Sequence, residues 1–170
     1  MGIGSAAYKI VFVLHLMTAI VGFGGVMLNG VYGAQAKKRP GPGGLAIGEA
    51  NLAVSKIAEK VILAVPILGI LLVVLSDDTW DFSQAWVGMA IVLFVIVFAF
   101  ALLVQVKNAE RMNALAAELV AAGPPPAGAS GPPPQVAKME ALEKKLAGGG
   151  AFLGIALVVM VALMVFKPGV

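Results

Sequence analysis

Apolar residues dominate four stretches of the chain, at residues 8–33, 57–75, 85–106 and 149–166. Each is long enough for an α-helix to cross the hydrocarbon core of a bilayer, which takes roughly 17–25 residues. Within the first stretch, Tyr8, His15, Thr18, Gly22, Gly25, Asn29 and Tyr32 follow steps of three and four. That spacing aligns them on one helix face. The second stretch carries a matching stripe of Glu59, Ile62, Pro66, Gly69, Val73 and Ser76. The pattern predicts an all-α membrane protein of four transmembrane helices. The first two run antiparallel, with their small and polar faces meeting in a packed, weakly polar seam. In that arrangement Asn29 and Tyr32 lie near Glu59, Gly22 and Gly25 lie near Pro66 and Gly69, and His15 lies level with residues 73–77 and near Gln84.

The segments between the spans add helix beyond the membrane. Pro40-Gly41-Pro42-Gly43-Gly44 breaks the chain after span one, and from about residue 45 an interfacial lead-in runs to span two. Pro66 inside span two, with Gly69 close behind, predicts a kink. Residues 107–122 are rich in Ala, Leu and Glu. They continue span three into one helix over about 84–122, about 58 Å long at 1.5 Å per residue. A Pro-rich tip at 123–134 ends it, and 135–147 is helical again. Met112, Leu115 and Leu119 form one apolar stripe, and Met139, Leu142 and Leu146 form another. An antiparallel register pairs Leu119 with Met139, Leu115 with Leu142 and Met112 with Leu146. This predicts a helical-hairpin stalk at 107–147 extending helices three and four, within a single domain over 1–170. The alternative is two amphipathic pieces lying on the membrane surface. Gly148-Gly149-Gly150 and Gly154 at the head of span four permit close helix approach or a hinge.

Composition sharpens the class. Of 170 residues, 60% are hydrophobic and 12% charged, with a mean hydropathy of +0.97, far from the balance of a soluble domain. The chain has no cysteine, which removes disulfides, thiolate metal sites and cysteine nucleophiles. The pI near 9.3 reflects flanking charge rather than nucleic-acid binding. Ten basic residues (Lys37, Lys38, Arg39, Lys56, Lys60, Lys107, Arg111, Lys138, Lys144 and Lys145) lie in the two longer connections. Only Lys9 and Lys167 lie on the other side, beside Asp77, Asp78 and Asp81. The positive-inside rule then places loops 34–56 and 107–147 in the cytoplasm, and both termini outside, in a multi-pass protein of the cell membrane. Ala34-Gln35-Ala36 has the small-x-small form of a signal cleavage site. The apolar stretch before it is too long and the positive charge follows rather than leads, so a retained helix is expected. Trp80, Phe82 and Trp86 flank the acidic turn as expected interfacial anchors.

Candidate chemistry centres on His15, the one histidine. Three roles are open to it. It is an interior histidine bonded to Ser76, Gln84, an outer aspartate or a backbone carbonyl. It is an axial haem or copper ligand, which needs a second copy of the chain or a Met17, Met27, Met89, Met160 or Met164 partner. Or it handles protons or ions with Asp77, Asp78 or Glu59. Spans without internal acidic residues speak against an ion-coupled transporter. There is no phosphate loop, no HExxH and no oriented nucleophile–base set, so no enzyme is expected. Neither a metal nor any other cofactor is assigned.

Leu14-His15-Leu16 followed by Gly22-Phe23-Gly24-Gly25, in a small four-span chain, resembles an uncharacterised bacterial family known only as predicted integral membrane proteins. More distantly it is similar to copper-resistance and haem-binding helical proteins that share a first-helix histidine. The resemblance implies a membrane-embedded helical fold and no particular activity. The expected role is therefore non-enzymatic: a scaffold or accessory subunit of a membrane assembly, or a homo-oligomer, whose partners are the lipid bilayer and other membrane subunits or a second copy. A redox protein centred on His15, and a small channel or transporter, are the competing readings.

Overall fold

The computed structural model describes residues 2–124 and 131–170, and among these the chain is helical with no strand. Ser5 opens α1 (Ala6–Met27) by accepting the Tyr8 amide at 3.2 Å, which satisfies one of the unpaired donors of the first turn. At Leu28, with φ −82° and ψ −4°, α1 gives way to α2 (Asn29–Lys37). The single helix expected over 8–33 is thus interrupted, where Gly24, Gly25, Asn29 and Gly30 concentrate weak helix formers.

The turn into α3 (Pro42–Leu75) depends on two glycines. Gly41 has φ +84°, and Gly44 lies so close to the Ala36 and Arg39 carbonyls that no side chain fits. Pro42 then starts the helix with a preset φ. α3 has 34 residues and runs through Pro66 without ending. What the sequence divides into an interfacial lead-in and a span is one helix.

α4 (Ala85–Phe100) passes through a π-helical stretch, Ala101–Val106, into α5 (Lys107–Ala122). The long helix expected over 84–122 is present as 38 residues, with a π turn the sequence pattern does not reveal. α6 (Pro134–Phe166) is likewise unbroken across Gly148-Gly149-Gly150, so these glycines do not separate two helices. Of the Pro-rich tip, residues 125–130 lie outside the described residues.

Four helical stretches, Ala6–Lys37, Pro42–Leu75, Ala85–Ala122 and Pro134–Phe166, are long and apolar enough to cross a membrane. The most apolar window of each buries only 6–22% of its residues inside the chain. Most of this apolar surface therefore faces outward, where lipid satisfies it and helices keep their backbone groups paired.

α1 packs along α3 and α4 along α6, while α2 rests on α3. α5 lies against both α6 and α3, which joins the two pairs at one end. At the other end an aromatic cluster joins them. Trp80 Nε1 donates to the Tyr8 hydroxyl at 3.0 Å, Trp80 meets Trp86 edge-to-face at 5.6 Å, and the Lys167 ammonium stands 4.0 Å over the Trp80 ring. Trp86 is only 6% exposed and packs inside, whereas Phe82 is 51% exposed. The expected aromatic anchor at Trp86 is in fact an interior side chain. Ser76, fully buried, organises the turn: its Oγ accepts the Trp80 amide at 2.9 Å and lies 2.8 Å from the Val73 carbonyl. Asp77 and Asp78 follow in the left-handed region, at φ 57° and 61°, which aspartate tolerates better than bulkier residues. Asp81 accepts the Ser83 amide at 2.7 Å, and the bonds from Ser83 hold its carboxyl below the usual aspartate range.

Candidate functional site

The stripe of α1 meets α3 in a seam whose register is set by glycine. Gly22 is buried, and a Cβ placed there falls 2.6 Å from Ile62 Cγ1 and 3.2 Å from the Ile62 backbone nitrogen. A Cβ on Gly25 falls 3.0 Å from Ala58 Cβ. The absence of side chains on α1 thus admits the Ile62 and Ala58 turns of α3, the close approach that small residues permit between helices in lipid. On either side of this apolar contact stands a polar one. Ser55 Oγ donates to Asn29 Oδ1 at 3.2 Å, and His15 Nδ1 lies 3.0 Å from the Val65 carbonyl.

This register differs from the expected one by one to two turns of α3. Asn29 meets Ser55 rather than Glu59, the two glycines meet Ala58 and Ile62 rather than Pro66 and Gly69, and His15 meets Val65 and Gly69 rather than residues 73–77. Matching the ends of the spans sets the expected alignment. The side chains set the real one, because Gly22 fits against Ile62 and Gly69 makes room for the imidazole.

Gly69 is what lets His15 reach the backbone. A Cβ at Gly69 comes to 3.4 Å from His15 Cε1, so the imidazole occupies the space a side chain there would take. In a helix the Val65 carbonyl points toward residue 69, and glycine leaves its second lone pair open. A carbonyl only accepts, so Nδ1 carries the proton and the neutral ring keeps its free lone pair on Nε2. Of the partners open to His15 from sequence, the backbone carbonyl is the one it takes; neither Ser76 nor Gln84 bonds to it.

Other stripe members do different work. Thr18 Oγ1 lies 2.9 Å from the Leu14 and His15 carbonyls of its own helix and does not bridge to α3. Tyr32, beyond the break at Leu28, is 38% exposed. Glu59 and Pro66 are half-buried on α3. Among the described residues, no group of three His, Asp or Glu side chains is placed to hold a metal ion.

A second polar region lies where α3, α5 and α6 meet. Lys56 pairs with Glu110 at 2.7 Å and Lys37 with Glu143 at 2.8 Å. Gln105, in the π turn, donates from Nε2 to the Leu146 carbonyl at 3.1 Å. Its amide fills the space beside Gly149, where a Cβ would come within 2.5–2.8 Å of its atoms. Asn108 is 6% exposed, and the Asn113 amide lies against Gly48. Asn51 Oδ1, Gln105 Oε1 and Asn113 Nδ2 are buried without a hydrogen-bond partner among the described residues. Met112, Leu115, Leu119, Met139, Leu142 and Leu146 are all half-buried, and Leu115 and Leu142 line one open cleft between α5 and α6.

A family model described as predicted integral membrane protein (DUF2269) matches residues 9–168, in agreement with the four long apolar helices. The chain belongs to the DUF2269 family. It is accordingly an integral membrane protein, and the family match spans both the glycine seam and the α3–α5–α6 junction. No curated protein and no solved structure matches it.

The α3–α5–α6 junction is what sequence reasoning missed. The signal was present: the stripe of span two extends backward through Ser55, Leu52, Gly48 and Leu45 at the same spacing. A stripe that continues unbroken through a supposed interfacial lead-in marks a helix that needs a packing partner there too.

Proposed function

We propose that this protein is a non-enzymatic accessory or scaffold subunit of a membrane assembly, with its helical extension in the cytoplasm. One observation carries the reading. α3, α5 and α6 continue as helices past the apolar spans, and α5 packs against both α3 and α6, which supports a platform standing on the membrane. The platform carries open clefts. One lies between α5 and α6, around Leu115 and Leu142, and another between α3 and α5, around Leu52 and Ala117. Residues 107–147 act in this reading as the stalk that docks a neighbour, a second copy of the chain included. The ten basic residues at this end support a cytoplasmic position, with both termini outside.

The test is the mass of the assembly extracted in its native lipid, combined with charge insertion in a cleft. Ala114→Glu is expected to release the partner while the thermal midpoint of the isolated protein holds. A monomer without partner in native membranes refutes the proposal. Because the chain has no cysteine, single cysteines at Lys38 and Ser83 report sidedness directly. Labelling of Lys38→Cys from outside overturns the cytoplasmic assignment.

A second reading takes His15 as a single haem or metal ligand. It is favoured by the Nδ1 bond to Val65, which orients the ring and leaves Nε2 for a ligand, as outer-shell bonds do for metal-bound histidines. A visible absorption band in the purified protein that disappears in His15→Ala supports it, and a colourless, metal-free preparation refutes it. A channel along the α1–α3 seam has no such support, since Gly22 and Gly25 close that seam to less than a methyl group.

A further inference from the structure

Two of the carboxylates at the polar end are committed: Glu110 to Lys56 and Glu143 to Lys37. The cations that remain are not spread evenly. The cleft between α5 and α6 is rimmed by Arg111, Lys138 and Lys145 with one acid, Glu118, over a floor that includes Leu115 and Leu142. Glu118 lies seven residues beyond Arg111 on α5, and Lys138 seven residues before Lys145 on α6, so this acid and base share the end of the cleft away from the apolar spans. The near end holds Arg111 and Lys145, with Lys107 one turn above Arg111 on the same face of α5. Among the described residues none of these three has an ion-pair partner.

Their level along the helices matters. Gln105 bonds to Leu146 across the α4–α6 line, and from that level upward residues 85–106 and 149–166 carry no charge. Lys107, Arg111 and Lys145 therefore sit at the first polar level outside the hydrocarbon. Phe152 lies seven residues above Lys145 on the same face of α6, about 10 Å away, and meets Phe100 of α4 at 5.0 Å between ring centres. Phe152 is 43% exposed, with Leu103 at 61% and Ile155 at 67% beside it on the two helices. A cationic patch thus stands one level beyond exposed aromatic and aliphatic side chains on the two helices.

We propose that this is a binding site for an anionic phospholipid. Lys107, Arg111 and Lys145 take the phosphate, and the acyl chains lie over the exposed side chains around the Phe100–Phe152 contact. The assignment holds whichever leaflet this end faces, because phosphate headgroups occupy both. It rests on the membrane embedding of the chain and not on the scaffold reading. Juxtamembrane cations attract anionic headgroups strongly enough that each one removed weakens binding ~5-fold.

The experiment uses the full chain in nanodiscs of phosphatidylcholine, with and without phosphatidylglycerol, read by lipid retention in native mass spectrometry and by thermal midpoint. Phosphatidylglycerol is expected to be retained and to raise the midpoint. Lys145→Gln weakens retention ~5-fold, and the triple change of Lys107, Arg111 and Lys145 to Gln weakens it on the order of 100-fold. Lys144→Gln, which lies outside the cleft, has a smaller effect than Lys145→Gln. Equal effects at 144 and 145 mean diffuse surface charge and overturn the site. So does equal retention of the two lipids. A midpoint raised as much by inorganic phosphate in phosphatidylcholine alone identifies a free-anion site and overturns the lipid assignment. If the triple variant fails to fold, the wild-type protein decides. Added salt must strip phosphatidylglycerol and leave phosphatidylcholine, since exposed charge contacts are screened.

Discussion

Gly22→Ala tests the seam most directly. The added Cβ sits 2.6 Å from Ile62 Cγ1 and 3.2 Å from the Ile62 backbone nitrogen. The first clash is with a side chain and can be relieved by rotation. The second is with backbone and is relieved only if α1 and α3 move apart by a few tenths of an ångström. Overpacking of this kind costs about 1–3 kcal/mol. Alanine returns about 1 kcal/mol through helix propensity, which leaves a net destabilisation of about 1 kcal/mol, or roughly fivefold in the folding equilibrium. Gly24, two residues on, has no atom within 4 Å of its Cβ position, so Gly24→Ala keeps the propensity gain and meets no clash. Reversible denaturant titration in mixed micelles should therefore rank the proteins Gly24→Ala, wild type, Gly22→Ala, from most to least stable. Ile62→Ala in the Gly22→Ala background should cost less than it does alone, because the truncation vacates the space the new methyl needs. Equal midpoints for the two glycine variants, or strict additivity with Ile62→Ala, refute the register.

Further predictions concern the polar contacts. Gly149→Ala drives the Gln105 amide from its place and should destabilise by about 1–3 kcal/mol, because the amide loses Leu146 while staying buried. Gly148→Ala and Gly150→Ala, with nothing within 4 Å, should not, and equal thermal shifts across the three glycines contradict the π-turn packing. Nitrogen-15 NMR of the neutral His15 ring should find the proton on Nδ1, and an Nε2–H tautomer rules out the Val65 bond. Glu110→Gln and Glu143→Gln break ion pairs between partners that are 44–69% exposed, and each should leave the thermal midpoint nearly unchanged, because solvent screens such pairs. Asp81 should titrate below the usual aspartate range when followed by carboxyl carbon-13 shifts. Its folded pKa is depressed, so its contribution to the turn is present above the unfolded pKa and disappears as pH falls through the folded one. An undisplaced titration refutes the Ser83 bonds.

The architecture was legible in the sequence because lipid and water impose opposite demands at the ends of a span. Four apolar stretches with charged flanks leave few alternatives, and the Ala-rich continuation past Lys107 marks span three as a longer helix. The antiparallel α1–α3 seam was legible for the same reason: glycines at helical spacing have little use on a lipid face. Its register was not. Periodicity fixes which residues share a face but says nothing about their height against the partner. Here the height is decided by a local fit, Gly22 against Ile62, which shifts the glycines about two turns from the expected level. The π turn was hidden because ALLVQV contains no glycine, proline or charge to mark it; Gln105, the one polar residue of the stretch, is the only trace. Trp86 was misassigned because an aromatic residue at the end of a span is equally suited to a lipid interface and to a buried cluster. The edge-to-face contact with Trp80 decides between them.

The distribution of polar contacts explains why the two ends of the molecule differ in what they can do. Along α1 and α3 the polar groups are few and mostly matched: Thr18 is satisfied within its own helix, Asn29 by Ser55, and His15 Nδ1 by Val65. At the α3–α5–α6 junction three amide atoms, on Asn51, Gln105 and Asn113, are buried without a partner among the described residues. An unmatched buried amide destabilises the fold, so a helix junction selected for stability alone favours alanine or leucine at such positions. The α1–α3 seam is closed by glycine, and the unmatched hydrogen-bonding capacity is concentrated at the end where α3, α5 and α6 extend past the apolar spans. That asymmetry is what the proposed division of roles rests on: the extension and its cationic rim as the surface for other molecules, and the α1–α3 pair as the frame.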